Sequence, residues 1–478
     1  MVPLRKIFSN RLIAQFQVRS MPLSVLRKFT SHSTDLKEIM AKKIYEHRKV
    51  VKEFREKYGS KVIEEITVDQ MYGGMRGMKC LLTETSELDP EEGIRIRNRT
   101  LPECLEQLPK AQAGEQPLPE GIFWLLMTGD MPTYEQAKSL SQQWAEQAQL
   151  PPHVLTILNN FPPNLHPVAR FAAAITACNT ESVFAKAYSE GVPESRYWEF
   201  TFDDAMSLIA KLPTIAATIY KNMNHQGSSV CVVDPAKDWA HNFASMLGNE
   251  NHKFIEFMRL YLTILSDHEG GNVSAHTAHL VGSALSDPFL SFAAGMSSFA
   301  GPLHGLAVQE VLAWIAKLME RYGPDVTEDQ MKDFVWETLN SGQVVPGYGH
   351  AVLRRTDPRF TVQHHFALKH LSNEPLIKIV SNAYKVVPQV LREYGKVKNP
   401  WPNSDACTGA LFQCLGLKDM RFSTLVFGVS RALGVMASLV WDRALSLPME
   451  QPSSLTTDEL KKFAGDAQKT SQNVKQAI

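Results

Sequence analysis

The chain has 478 residues, 44% hydrophobic and 21% charged, with 50 basic and 50 acidic side chains. That length can bury a large core divided over two or three domains or subdomains. A formal charge of zero argues against a chain built to track nucleic acid. Scattered cysteines (80, 104, 178, 231, 407 and 414) with no CxxC argue against a disulfide framework or a zinc ribbon.

Residues 1–34 differ from the rest. They carry Arg5, Lys6, Arg11, Arg19, Arg27 and Lys28 with no acid before Asp35, and interleave Ser with Leu, Ile, Val and Phe. This composition predicts a mitochondrial transit peptide rather than a disordered basic tail, and it lacks the unbroken apolar run of a secretory signal. Its removal would leave a mildly acidic protein of net charge about −6.

Downstream, apolar residues at helical spacing predict a helix over 36–58, stopped by Gly59. KVIEEITV (61–68) is the best strand candidate, and 109–121, with three prolines and two glycines, reads as a loop. Helical patterning follows at 122–128, 134–149, 153–159, 167–178, 202–222, 240–247 and 252–266, with Val230–Val233 a short strand at most. Helices dominate, so the class is mainly α with minimal β. FSTLVFGVSRALGVMASLVW (422–441) is long and apolar enough for a membrane span, but Arg431 sits at its centre. A helix buried in a large helical protein fits better. That guanidinium then needs an anion, supplied by an internal carboxylate or by a ligand.

Four stretches carry the chemistry. SDHEGGNVSAHTAH (266–279) opens like a zinc-protease motif, yet position 272 is Asn where HExxH needs His. His276 and His279, three apart, keep only a weak zinc-ligand pair open. SFAGPLHGLAVQE (298–310) sets His304 between Pro302 and Gly305. GQVVPGYGHAVLRRTDPRF (342–360) sets His350 after Gly347 and Gly349, followed by Arg354, Arg355 and Arg359. GKVKNPWPNSDACTG (395–409) places Asp405 in a Pro-rich turn after Lys396 and Lys398. In each, Gly or Pro adjoins an ionisable side chain, the composition of loops that let a ligand approach the backbone. Each alone is compatible with a structural histidine or a solvated lysine face. If they converge, the site holds several His, at least two Arg and one carboxylate. That inventory fits a multi-carboxylate substrate gripped by Arg forks, proton abstraction by Asp405, and His donors at an oxyanion.

These motifs resemble citrate synthase of the eukaryotic mitochondrial type. The resemblance runs from YGGMRG (72–77) through SDHEGGNVSAH, GPLHG, VVPGYGHAVLR, TDPR and KNPWPN to FGVSRALG, in the family's order. It implies a helical homodimer in the mitochondrial matrix. The large domain would comprise 35–304 and 411–478, and the small domain 305–410, the two closing over oxaloacetate and then acetyl-CoA. It implies condensation of acetyl-CoA with oxaloacetate and water to citrate and CoA, with CoA as cosubstrate and neither metal nor resident cofactor. Matched motif by motif, Asp405 is expected to take the methyl proton, His304 to hydrogen-bond the thioester oxygen, and His350 to polarise the oxaloacetate carbonyl. His268 would donate to oxaloacetate with Asn272 and Ser274 nearby, and Arg359 and Arg431 would grip its carboxylates. Backbone at Val344, Gly347 and Gly349, with Arg354, Lys396 and Lys398, would face CoA.

Three positions depart from the family pattern. PMEQP (448–452) puts Gln451 where a motif like PLERP supplies a carboxylate-binding arginine from the partner subunit. Gln343 stands where an arginine commonly precedes VVPGYGH, and Cys407 where a histidine commonly follows the aspartate. Gln can hydrogen-bond a carboxylate but cannot neutralise it, a loss of roughly 1.5–3 kcal/mol. Three readings therefore stand: a working citrate synthase, a 2-methylcitrate synthase using propionyl-CoA, and a weakly active or non-catalytic paralogue.

Overall fold

The computed structural model describes residues 33–224 and 232–465. Helix accounts for 63% of these residues and strand for 3%. The expected transit peptide therefore lies almost wholly outside the described residues. Of the short strand expected at 230–233, only 232–233 are described, and they are not strand.

Local chemistry sets the helix starts. Asp35 caps Leu36–Tyr58 by accepting from the Glu38 amide. Thr67/Gln70, Thr100/Glu103, Thr133/Gln136 and Thr327/Gln330 form reciprocal capping boxes. Proline, whose missing N–H costs nothing in a first turn, opens Pro119–Thr128, Pro152–Asn159, Pro167–Ala177, Pro288–Phe299, Pro358–Leu371 and Pro375–Tyr394. The expected helices at 36–58, 122–128, 134–149, 153–159, 167–178, 202–222, 240–247, 252–266 and 422–441 all appear, with ends shifted by a few residues.

The strand reading of 61–68 is wrong. Residues 61–67 are irregular, and Val68 opens the short helix Val68–Tyr72. Val, Ile and Thr favour strands only when a partner strand takes the backbone groups. Here the Glu64 carboxylate accepts from the Lys79 amide and the Gln70 side chain, and Val62, Ile63 and Ile66 stay exposed. The sheet lies just beyond, where no strand was expected. Ser86–Asp89, Gly93–Ile96 and Arg99–Thr100 form an antiparallel meander, with Ser86 opposite Ile96 and Ile96 opposite Arg99.

Met420–Ala444 is the axis of the molecule. It packs on Pro119–Thr128, Tyr197–Met223, His252–Ile264, Val273–Ser283 and Pro288–Phe299. The helix is apolar enough to cross a membrane, but 94% of its most apolar window is buried inside the protein. A second set of helices packs largely on itself. Ala307–Tyr322 and Pro358–Leu371 lie on Asp405–Cys414, and Glu328–Asn340 lies on Pro375–Tyr394. The second set meets the first where Ala307–Tyr322 and Asp405–Cys414 touch Met420–Ala444, and where Pro358–Leu371 touches His252–Ile264.

Candidate active site

The expected site residues gather where the two sets meet. From the first set come His268, Asn272, Ser274 and Arg431. From the second come His350, Arg359 and Asp405, with His304 in the turn between.

The 266–272 stretch is a loop running into a helix cap, not the helix an HExxH pair requires. Asn272 caps Val273–Ser283, accepting from the Ala275 amide (3.2 Å) and the Ser274 hydroxyl (2.9 Å). Its amide donates back to the His268 and Glu269 carbonyls at 2.9 and 3.0 Å, closing the loop on itself. Ser86, at the edge of the small sheet, pins the loop from outside: its hydroxyl donates to Asp267 (2.7 Å) and accepts from the Glu269 amide (2.8 Å).

His268 is buried beside His350, ring centroids 5.5 Å apart, and its Nε2 has no hydrogen-bond partner. Burial, then the Arg359 and Arg431 charges, hold its pKa well below the usual imidazole value. His304 Nε2 lies 2.9 Å from the Ser274 hydroxyl. Its ring packs edge-on against Phe299, in a turn that doubles back so tightly that a Cβ at Gly305 would sit 2.3 Å from the Phe299 carbonyl oxygen. Burial, with Arg431, lowers His304 to about 4. His350 Nδ1 accepts from the Val352 and Leu353 amides at 3.0 and 3.1 Å. That fixes the tautomer in which Nε2 carries the proton. Burial and Arg359 lower it, too, to about 4. At neutral pH all three rings are therefore uncharged donors.

Asp405 is the first residue of Asp405–Cys414, its amide bonded to Asn403 Oδ1 at 3.0 Å. Burial pushes its carboxyl up to about 6, with Arg359 pulling the other way. The loop before it is stitched to the His350 loop. The Asn403 amide donates to the Gly347 carbonyl at 2.9 Å, its side chain donates to the Gly349 carbonyl at 3.0 Å, and the Gly349 amide donates to Trp401 at 2.9 Å. Gly347 sits at φ +81°, where a Cβ would fall 2.9 Å from the Ala406 Cα.

The two guanidiniums differ. Arg359 is bidentate on Asp357, with Nε–Oδ1 3.0 Å and Nη2–Oδ2 2.6 Å. Burial opposes its charge, but Asp357 more than offsets this and raises its pKa. Asp357 also caps Pro358–Leu371 by accepting from the Arg359 amide, a pairing absent from the expected site residues although TDPR spells it out. Arg431 is 1% exposed. It donates only to neutral acceptors, the Leu265 carbonyl (3.1 Å) and Asn272 Oδ1 (3.3 Å), and lies over the Phe427 ring. Among the described residues no carboxylate comes within ion-pair reach, and burial lowers its pKa to about 10.

The remaining expected contacts are looser. Val344, Arg354, Lys396 and Lys398 are exposed; Arg354 folds onto the Val352 and Leu353 carbonyls at 2.7 and 2.9 Å. The Gly347 and Gly349 carbonyls already serve Asn403. Gln451 is exposed and meets none of the crevice residues of its own chain. Cys407 is fully buried, its thiol pushed up by burial. His276 and His279 turn to Glu450 and Asp442. Among the described residues no cluster of three or more His, Cys, Asp or Glu is arranged to hold a metal ion.

Residues 74–452 match the family model described as citrate synthase, C-terminal domain. The chain is 59% identical over 443 residues to the mitochondrial citrate synthase of Xiphias gladius, covering 93% of this chain and 94% of that one. It is 58% identical over 458 residues to a probable mitochondrial citrate synthase of Glossina morsitans morsitans, covering 96% and 98%. Among solved structures it is similar to Pyrobaculum aerophilum citrate synthase, with a TM-score of 0.69, 24% identity, and 80% and 92% of the two chains covered. A Thermoplasma acidophilum citrate synthase, in ternary complex with carboxymethyl coenzyme A and oxaloacetate, gives a TM-score of 0.68 at 20% identity, covering 83% and 97%. The last two likenesses concern the fold; the first three establish the lineage, and the chain belongs to the citrate synthase family.

Proposed function

We propose that Asp405, His304 and His350 carry the citrate synthase reaction in this chain, joining the acetyl group of acetyl-CoA to oxaloacetate. A thioester α-proton is weakly acidic, so the base must act while the enol oxygen is stabilised. Asp405, raised to about 6, is ionised yet more basic than a solvent-exposed carboxylate. With the Ser274 hydroxyl turned from Asn272 onto His304 Nε2, neutral His304 carries its proton on Nδ1 and donates it to the enol oxygen, while His350, its Nε2 protonated, polarises the oxaloacetate carbonyl that the enol attacks. Water then hydrolyses citryl-CoA.

The observation that carries this reading is Arg431. A buried guanidinium with no carboxylate in direct contact costs several kcal/mol, although Asp267 and Asp405 favour its charge from further away, and a carboxylate of oxaloacetate would supply the direct partner. Arg359 would take the second carboxylate and His268 Nε2 would donate to the substrate. Arg354, Lys396 and Lys398, exposed on the second set of helices, would face CoA phosphates, with Val344, Gly347 and Gly349 alongside.

Closure of a small domain, expected over 305–410, over the large one would keep water off the thioester until condensation. Residue 410, the expected end of the small domain, falls inside Asp405–Cys414. The partner would be a second copy of the chain. Val62, Ile63, Ile66, Val68, Met71 and Met75 are exposed on one segment and Met449, Leu455 and Phe463 on the C-terminal one, with Tyr72 hydrogen-bonded to Thr457 between them. Such apolar surface marks a protein interface, and a homodimer would bring Gln451 to the neighbouring crevice. The protein is mitochondrial, and the basic leader fits delivery to the matrix.

The test is a steady-state assay of the purified chain with oxaloacetate and either acetyl-CoA or propionyl-CoA. Turnover with acetyl-CoA supports the reading. Preference for propionyl-CoA makes it a 2-methylcitrate synthase, and no turnover with either leaves a non-catalytic paralogue.

A further inference from the structure

The second turn of the Val273–Ser283 helix carries a charged cluster that the chemistry above does not use. His279 Nδ1 lies 2.6 Å from Asp442 Oδ2, near the end of Met420–Ala444. Its Nε2 lies 2.6 Å from Glu450 Oε1, on the segment leaving that helix, an ion-pair contact not aligned as a hydrogen bond. His276 Nε2 approaches the other Glu450 oxygen at 3.3 Å, and the Glu450 amide donates to the Ser283 hydroxyl at 3.0 Å. A ring that faces a carboxylate from each nitrogen needs a proton on both, because a neutral ring would turn one lone pair onto an anion.

The cluster is tied to the crevice at three points. The helix bearing His279 begins with Asn272 and Ser274, the latter on His304. His279 is about 7.5 Å further along its axis. The helix bearing Asp442 also bears Arg431. Glu450 immediately precedes Gln451.

We propose that His279, as an imidazolium shared between Asp442 and Glu450, is a positioning residue for oxaloacetate. It locks the Val273–Ser283 helix, the Met420–Ala444 helix and the 448–452 segment into one register, so that Ser274 meets His304 and Gln451 leaves the body in a fixed direction. The inference rests on the reading that Asn272, Ser274 and Arg431 line the oxaloacetate pocket.

The groups facing His279 are Asp442 and Arg443 from one helix, Glu450 from the C-terminal segment and His276 from its own helix. Asp267 and Glu269 line the small cavity it borders. Burial and Arg443 oppose its charge; Asp442 and Glu450 prevail and raise its pKa. With the folded pKa raised, the lock is complete below the ordinary imidazole value and is lost as pH rises through the folded one.

The experiment measures oxaloacetate KM and kcat from pH 6 to 9 for the full chain, His279→Gln and Asp442→Asn. Amide hydrogen exchange across 273–276 and 448–452 is followed without substrate. His279→Gln is expected to raise KM about fivefold at low pH, leave kcat within about twofold, and quicken exchange in both segments. Asp442→Asn should move the alkaline rise in KM to lower pH. Unchanged KM, pH profile and exchange in His279→Gln would overturn the proposal. So would an equal loss in kcat and kcat/KM with a lowered Tm, the mark of a merely structural role. Should His279→Gln not fold, Glu450→Gln, a half-buried side chain on an otherwise exposed segment, must show the same KM and exchange changes. Quickened exchange in a chain with no turnover would uphold the lock and refute the functional reading alone.

Discussion

Two regions each deliver a buried guanidinium to one crevice, and they deliver it differently. The Asp357–Arg359 turn brings its own counter-ion, bidentate and within two residues. The middle of Met420–Ala444 brings Arg431 with neutral oxygens only. The first is a completed pair that offers a substrate its outer edge. The second is a charge held in the fold by packing, and it leaves a deficit that a small dianion can fill. The comparison separates a guanidinium paired within the fold from one that is not.

The largest expected effect tests the anion both guanidiniums face. Asp405→Asn should lower kcat at least about 10³-fold while leaving oxaloacetate binding near normal. With its pKa raised by burial, ionisation of Asp405 begins to oppose folding above the ordinary carboxylate value of 3.8 and does so in full above about 6, so the variant should also gain Tm at neutral pH, read by calorimetry. The central contrast comes next. Arg431→Gln and Arg359→Gln should both raise oxaloacetate KM by about 10²-fold, but their substrate-free stabilities should diverge. Arg359→Gln strands Asp357 and should cost about 3–5 kcal/mol, whereas Arg431→Gln removes an unpaired buried charge and should cost little or stabilise. Equal Tm losses would erase the contrast between the two arginines.

Gln451→Arg comes third. If the C-terminal segment of one copy reaches the neighbour's crevice, the added charge should lower oxaloacetate KM about tenfold with kcat little changed. An unchanged KM would show that Gln451 stays outside the crevice. The smallest effect is in pH. Because Asp405 titrates near 6 while His304 and His350 stay neutral down to about 4, kcat/KM should fall about tenfold for each unit below 6, with a single acid limb.

Much of this was legible in the residues. Helix starts were written in Thr-x-x-Gln, Thr-x-x-Glu and leading prolines, and the buried axis helix in its length and its central Arg. The strand at 61–68 failed because β-branched composition reports suitability for a sheet, not the presence of a neighbour strand. The real sheet was missed because its first strand, Ser86–Asp89, has little apolar character, although Gly93 at φ +88° and the Ile94–Ile96 alternation were signals. For the site, residue types predicted the inventory but not which charge would be paired. The glycines before His350 read as ligand-facing; Gly347 and Gly349 also let the backbone pack on the Asn403 turn, which the sequence did not show.

Arg431 has a second consequence, apart from catalysis. The segment around it has a mean hydropathy of 1.6 over its most apolar window, enough to partition into a bilayer by composition alone. A polypeptide threaded unfolded through a translocase could stall there and slip sideways into lipid. An arginine at the midpoint penalises that exit by about 2.5–3.5 kcal/mol on insertion scales. The same arginine that sits unpaired in the folded core thus makes its own helix a poor membrane span.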